Sequence, residues 1–338
     1  MNKLSIICNS NNPDLAMYFS NKVKAFNSNV YFLGNKQLSK QLHIDCSSVS
    51  KVSGLTIWFI ADCFLALLCI LKLLIRKIDV VIFDTAHISN IPLAILCKLF
   101  RVKLIFTVHD WNPHEGTQEK NVRLYNKFVD RFLADEYITF SKVKSRLKVH
   151  QLQLSGFTKK SVSQPQGYYL FFGRIEPYKG LKHLIKIAKS MHEQGLSEKI
   201  IIAGKGTDSA IKELSNLPNV VMMNHFIADD ELEKLVQGAI ATLLPYDSAT
   251  QSGVILHSYS YSKPVVAFDV GALHEYIKDG INGMLVEHGN IYDFIEKLKI
   301  IRNDYNNFEI NVSKEFKHYD KPALEKQYRE LLQNLKIL

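Results

Sequence analysis

Ten short β-rich runs, each separated from the next by a longer apolar or amphipathic stretch, constrain this chain more than any other feature. The first half reads "KLSIICN", "NVYFLG", "DVVIFDTA", "KLIFTVHD" and "EYITFS"; the second reads "YYLFFG", "KIIIAGKG", "VVMMNHF", "AIATLLPY" and "PVVAFDVG". Strands spaced by helical segments imply parallel sheets built from right-handed βαβ units, because a parallel neighbour can be reached only by a crossover. The expected fold class is therefore α/β, with two Rossmann-like parallel-sheet domains facing a cleft that is the default ligand site. The expected boundaries are 1–160 for the first domain and 166–320 for the second. The polar "TKKSVSQPQG", residues 158–167, is the expected hinge, since it lacks apolar periodicity and contains Pro165 and Gly167. Residues 321–338 read as a C-terminal helix that can cross back to the first domain.

Composition adds bounds. The 338 residues are 47% hydrophobic and 22% charged, ordinary for a chain with a buried core and against disorder. The five cysteines, Cys8, Cys46, Cys63, Cys69 and Cys97, sit mostly in apolar runs without zinc-ligand spacing, and read as small core residues of a reducing compartment. The first residues carry too short an apolar run for a signal peptide, so a cytoplasmic location is expected. Charge is uneven: residues 1–165 hold 22 Lys and Arg against 11 Asp and Glu, the remainder 20 against 22. Such asymmetry suggests that the first half meets an anionic surface or partner. Residues 141–160 hold six bases and no acid, either as part of that surface or as a solvated face.

The segment "LTIWFIADCFLALLCILKLLIRK", residues 55–77, approaches the ~20 apolar residues of a membrane span. Topology opposes a crossing, because the strand after it must pair in the same sheet as the strand before it. A helix buried against the sheet and a helix touching a membrane from one side both remain open.

The loop of "YYLFFGRIEPYKGLKHLIKIAKS", residues 168–190, joins a strand's C-terminal end to a helix start and places Arg174 and Lys179 on either side. Open α/β sheets bind ligands at such ends, and helix N-termini attract anions. Arg supplies a planar fork and Lys a mobile point charge, so a phosphorylated ligand is expected, against the plainer reading of two surface cations. The "GKG" at 204–206 either lines the same site or is a plain turn. Asp229 and Asp230 read as an N-cap and a first-turn acid of the next helix.

Three elements of the second half, "GRIEPYKG", "LLPYDSATQSGVILHSYSYSKPVVAFDVG" and "LHEYIKDGINGMLVEHG", resemble the family 4 glycosyltransferases, retaining enzymes of the GT-B fold, across about 120 residues. Outside that stretch the likeness rests on "IFTVHDWNPHEG" and the two-domain layout. The resemblance implies that Gly173, Arg174 and Lys179 hold the diphosphate of a nucleotide sugar, with Gly204 beside them, and that the backbone around Phe226 and Ile227 packs on the base. It also implies that His109 lies near the transferred sugar, with Asp110 and His114 as neighbours; the competing reading is a structural histidine. Where the family usually carries two glutamates, this chain has Ala249 and His257. Its "TQSG" loop resembles a subgroup in which Gln251, Ser252, Gly253 and Val254 face the donor. His257 reads either as a ribose donor or as a helix histidine without a ligand. The glycine-rich loop after the family's first strand is replaced by "NSNNPD", so acceptor handling is not inherited.

Fixed cations stabilise the charge that develops on a nucleoside diphosphate leaving group. No Asp-x-Asp motif is present, so neither a metal nor another cofactor is expected, and no protein nucleophile is nominated. The expected function is retaining transfer of a sugar from a nucleotide-sugar donor to a polysaccharide or lipid-linked oligosaccharide acceptor, in lipopolysaccharide or capsule synthesis. The catalytic set is His109, Arg174 and Lys179. Expected partners are the donor, a glycan or lipid-diphosphate acceptor and an anionic membrane surface, with no nucleic acid. The alternatives are a decayed transferase partnering another glycosyltransferase and a GT-B nucleotide-sugar epimerase.

Overall fold

The computed structural model describes residues 3–8, 30–34, 57–109, 119–249 and 252–337. The chain divides into two compact units, Met1–Gly156 with Lys321–Leu338, and Phe157–Asp320.

The first unit runs β1 (Leu4–Cys8), β2 (Val30–Gly34), α1 (Ile57–Ile75), β3 (Val80–Phe83), α2 (Asn90–Leu99), β4 (Lys103–Val108), α3 (Glu119–Phe132), β5 (Glu136–Thr139) and β6 (Lys148–Gln151). The strands form one sheet in the order β2-β1-β3-β4-β5-β6, every pairing parallel. The period of two divides each strand between two cores. Ile7, Val81, Phe83, Leu104 and Phe106 point toward α1, α2 and α3. Leu4, Ile6, Val80, Ile82 and Ile105 point to the opposite face.

The second unit continues with β7 (Tyr168–Phe172), α4 (Leu181–Glu193), β8 (Lys199–Ala203), α5 (Ile211–Leu214), β9 (Val220–Met223), α6 (Asp229–Gly238), β10 (Ala239–Leu244), α7 (Gly253–Ser260), β11 (Val265–Phe268), β12 (Gly283–Val286), α8 (Ile291–Asn303) and α9 (Tyr305–Glu315). Its sheet order is β12-β11-β10-β7-β8-β9, again wholly parallel. Strand order runs outward in one direction from β7 and in the other from β10. The boundary between β7 and β10 is thus the switch point at whose carboxyl end open α/β sheets bind ligands. The chain then returns to the first unit with α10 (Lys321–Asn334), whose Leu324, Tyr328, Leu331 and Leu332 cover the face of the first sheet opposite α1.

Residues 158–167 are tied to the second unit: Lys160 N–H donates to the Ser260 carbonyl at 2.8 Å and Gln166 N–H to that of Gly238 at 2.7 Å. Buried Lys263 donates to the Ser163 carbonyl at 2.9 Å and to the Tyr305 hydroxyl at 2.6 Å. Ala228 occupies the N-cap of α6, so Asp229 and Asp230 both fall in the first turn; neither is the cap, and both act on the helix dipole. Cys8, Cys69 and Cys97 are buried, whereas Cys63 is exposed on α1 and departs from the core reading; Cys46 lies outside the described residues.

Helix α1 packs on the sheet through one face only. Ala66, Cys69, Ile70 and Leu73 are buried, while Phe64, Leu67, Leu68, Leu71 and Ile75 are exposed. Among the described residues, no helix is long and apolar enough to cross a membrane.

Candidate functional site

At the switch point of the second unit the floor is bare backbone. Gly173 leaves β7 at φ 109° and donates its N–H to the Ala203 carbonyl at 3.0 Å. Gly204 leaves β8 at φ 155°, and a Cβ there would stand 1.9 Å from the Gly173 carbonyl oxygen. Only glycine allows these two strand ends to lie that close. The chain then turns through Pro177–Lys179, and Gly180, at φ 71°, packs so tightly on the next loop that its Cβ would meet the Pro245 carbonyl oxygen at 1.9 Å. Tyr178 completes the junction, its carbonyl accepting the Asp247 N–H at 2.8 Å. The loops after β7 and β10 are therefore one packed body.

That packing aims Lys179. The side chain is buried, with its ammonium 5.5 Å from the centroid of the Tyr246 ring and 3.0 Å from where a Cβ on Gly173 would stand. A cation folded back over two strand ends is pre-ordered for an anion there, so little side-chain entropy remains to be lost on binding. Burial pushes the Tyr246 phenol well above its ordinary range, so the ring beneath Lys179 stays neutral. Arg174 is the opposite case: its side chain is 75% exposed, with Nη1 3.6 Å from the Glu176 carboxylate.

Helix α7 begins at the same end. Ser252 is its N-cap, buried and extended, with no side-chain cap bond, and Gly253 is the first helical residue. A Cβ on Gly253 would meet nothing within 4 Å, so there is room beside the first helical residue. Val254 and Ile227 pack in one cluster with Phe172 and Ala203, which brings α7, the loop after β9 and the ends of β7 and β8 together. Phe226 beside them is 78% exposed. The His257 ring packs edge-on with Phe172 and tilted against Tyr261, each at 5.4 Å between centroids. Ala249 is buried, and its carbonyl is 1.6 Å from where a Cβ on Gly271 would stand, leaving that loop no slack. Gln251 lies outside the described residues.

Sequence reasoning missed Asp247. Its Oδ1 accepts from His183 Nε2 at 2.9 Å and from His288 Nε2 at 3.0 Å, and its Oδ2 lies 2.9 Å from Lys182 Nζ. Burial would raise this carboxyl, but the hydrogen bonds from His183, Lys182 and His288 and the charge of Lys182 outweigh it and bring it down to about 2. The ligating atoms of His183, Asp247 and His288 lie within 4.8 Å of one another, a donor set that could hold a transition-metal ion. As arranged, one carboxylate ties the start of α4 to the loops after β10 and β12. An acid three residues past a strand end was visible in the sequence; its two histidine partners, 64 and 41 residues away, were not.

His109 belongs to the first unit. It directly follows β4, and its Nε2 donates to the Asp84 carbonyl at 3.0 Å while the ring stacks on Phe140 at 5.2 Å. The buried Asp84 carboxylate accepts from the Thr107 hydroxyl at 3.1 Å. Asp110 and His114 lie outside the described residues.

Two parallel-sheet α/β units in this order have the GT-B fold of glycosyltransferases. The crystal structure of Anabaena HepE in complex with UDP overlays with a TM-score of 0.74 at 18% identity, covering 98% of this chain and 100% of that one. Residues 166–304, which include every candidate of the second unit, match the family model described as "Glycosyl transferases group 1". An uncharacterized glycosyltransferase of Methanocaldococcus jannaschii is 30% identical over 130 residues, 37% of this chain and 33% of that protein. The chain thus matches about a third of that relative's length. An uncharacterized 41.2 kDa protein in the cps region of Klebsiella pneumoniae is 24% identical over 286 residues, 76% of this chain and 78% of that protein.

Proposed function

We propose that the chain is a glycosyltransferase that takes a sugar from a nucleotide-sugar donor bound to its second unit. The observation that carries this reading is the convergence on one strand-order switch point of the Gly173 backbone, the buried Lys179 ammonium and the N-terminus of α7, which starts on a glycine with room for a side chain. Breaking the sugar–phosphate bond leaves charge on the diphosphate; Lys179 and the exposed Arg174 neutralise it, and the first N–H groups of α7 accept one phosphate. The chain's own cations serve where other transferases use a metal. Transfer proceeds with retention, the leaving phosphate assisting the incoming hydroxyl. Phe226 offers a face for the base, and Gly204, Ile227, Gln251, Ser252, Val254 and His257 complete the donor contacts. His109 of the first unit acts on the transferred sugar.

The donor is a uridine diphosphate sugar on this reading, since the structural neighbour binds UDP. The acceptor is a polysaccharide or lipid-linked oligosaccharide, consistent with a relative encoded in a cps region, and the protein works peripherally at the inner face of the cell membrane. The test is a thermal-shift screen of nucleoside diphosphates, where a ligand at a hundred times its Kd stabilises by about 2.7 kcal/mol. A response to none of them would overturn the donor assignment. Ala249 and His257, standing where two glutamates are expected, favour a second reading as a non-catalytic partner. Nucleotide binding without transfer or donor hydrolysis would select it.

A further inference from the structure

Among the described residues, nothing packs on the outward face of α1, which is an apolar stripe. Phe64, Leu67, Leu68, Leu71 and Ile75 are 63%, 49%, 41%, 51% and 80% exposed, at the spacing of one helix face. The stripe runs ~16 Å along the axis at 1.5 Å per residue. Helix α2 packs beside α1 and ends on two further exposed apolar residues, Leu99 and its C-cap Phe100, 72% and 53% exposed. A water-exposed stripe of this size costs solubility and marks a contact surface. It is not needed to hold α1 in place, because the opposite face already packs on the sheet.

Charge identifies the occupant. Residues 63–77 and 91–101 contain Lys72, Arg76, Lys77, Lys98 and Arg101 and no Asp or Glu. All five cluster at the C-terminal ends of the two helices, where parallel crossovers put both ends on the same edge of the sheet. Lys98 spends part of its charge on Asp135. Anionic lipid headgroups complement cations bordering an apolar stripe, and long basic side chains reach the headgroups while their stems stay apolar. A second copy of the chain meeting this patch through the same face would set like cations against one another.

We propose that α1 and α2 form a monotopic docking surface that lies flat in the interface of an anionic bilayer, with the α1 stripe among the upper acyl chains. The proposal deepens the functional reading above by naming the surface on which a lipid-linked acceptor is met. It differs from a purely electrostatic association, since the apolar contact is not screened by salt.

The test is flotation of the full chain with phosphatidylcholine vesicles, with and without phosphatidylglycerol, at low and high salt. The parent should float with the anionic vesicles, and part of it should stay bound at high salt. Leu67→Asp with Leu71→Asp, both at half-exposed positions, should lower the bound fraction by on the order of tenfold or more. Replacing Lys72, Arg76 and Lys77 by Gln should remove the preference for anionic lipid. Phe64→Trp, which adds no charge, should show a blue-shifted tryptophan emission when anionic vesicles are added. A parent that does not float, an aspartate double variant that floats like the parent, an unshifted emission in the Phe64→Trp variant, or a dimer that the aspartates dissociate without any lipid binding would each overturn the proposal. The thermal-shift screen of nucleoside diphosphates on the same samples keeps the two readings apart. Flotation without nucleotide binding refutes the transferase reading and leaves the surface; nucleotide binding without flotation does the reverse.

Discussion

Two glycines of the second unit do opposite jobs, and substituting each by alanine separates them. At Gly204 a Cβ would stand 1.9 Å from the Gly173 carbonyl oxygen, at a φ of 155° that side chains rarely adopt. Overpacking and backbone strain together should cost on the order of 2–4 kcal/mol. For a unit of this size that lowers Tm by roughly 5–15 °C. At Gly253 a Cβ would meet nothing within 4 Å and φ is not positive, so Gly253→Ala should leave Tm unchanged, or raise it through the better helix propensity of alanine, worth up to ~1 kcal/mol. If a phosphate sits on the first N–H groups of α7, the added methyl at Gly253 displaces it, and Gly253→Val does so more completely. Losing one charge-assisted hydrogen bond costs about 1.5–3 kcal/mol, or roughly a ten- to hundredfold rise in Kd. The assay is thermal unfolding with and without UDP, followed by calorimetric titration. Parent-like UDP affinity in Gly253→Val, at parent-like Tm, would refute the placement of the phosphate at α7. So would a Gly253→Ala variant that unfolds as early as Gly204→Ala, because its lost affinity would then be a folding defect.

Other outcomes follow from the same geometry. Lys179→Ala should weaken UDP binding more than Arg174→Ala, since Lys179 is buried in place and Arg174 is three-quarters exposed; titration that ranks them the other way would make Arg174 the main clamp. Burial lowers the Lys263 ammonium to about 8, against the weaker raising effect of Glu309, so the unfolded chain holds its proton more tightly between pH 8 and 10.5. Stability from this group therefore rises with pH across that window, and the stability difference between the parent and Lys263→Met should change in the parent's favour from about pH 8 to about 9.5 in denaturant titrations. Parallel curves would remove Lys263 as the cause. Asp247, held at about 2 against an ordinary 3.8, contributes stability that is present above pH ~5 and lost as pH falls toward 2. After solvent screening its share is about 1–2 kcal/mol. The advantage of the parent over Asp247→Asn should shrink accordingly in acid, and an advantage independent of pH would contradict this.

Strands with continuous apolar runs were legible because a strand buried on both faces needs nothing else. Tyr168–Phe172 and Ala239–Leu244 are buried at every position and were recognisable without their neighbours. Lys148–Gln151 was not, since as an edge strand it alternates exposed and covered residues and reads only as part of a basic stretch. Gly283–Val286 hid within a motif that begins with a turn. In the candidate site, Lys179 was legible through local order, a strand end followed by a helix start, whereas Gly173 and Gly253 came through the family resemblance. The His183–Asp247–His288 knot was not, because it joins three separate crossovers. The two-faced character of α1 was beyond the sequence for a related reason. An apolar run shows that both faces are greasy, and only the fold decides which one the sheet takes.

The return of α10 makes the first unit discontinuous in the chain. Its sheet face of Leu4, Ile6, Val80, Ile82 and Ile105 is covered by residues that come after Asp320. During synthesis the whole second unit must leave the ribosome before that face can be closed. The second unit, uninterrupted from Phe157 to Asp320, is free to fold first. Where the chain passes between units, Phe157 donates its N–H to the Tyr319 carbonyl at 3.1 Å and bridges Asp320, so the outgoing and incoming segments are fastened side by side. A nonsense or frameshift product ending near residue 320 would thus carry a complete second unit and a first unit with an open apolar wall. An exposed apolar wall of that kind is a surface that chaperones and proteases recognise.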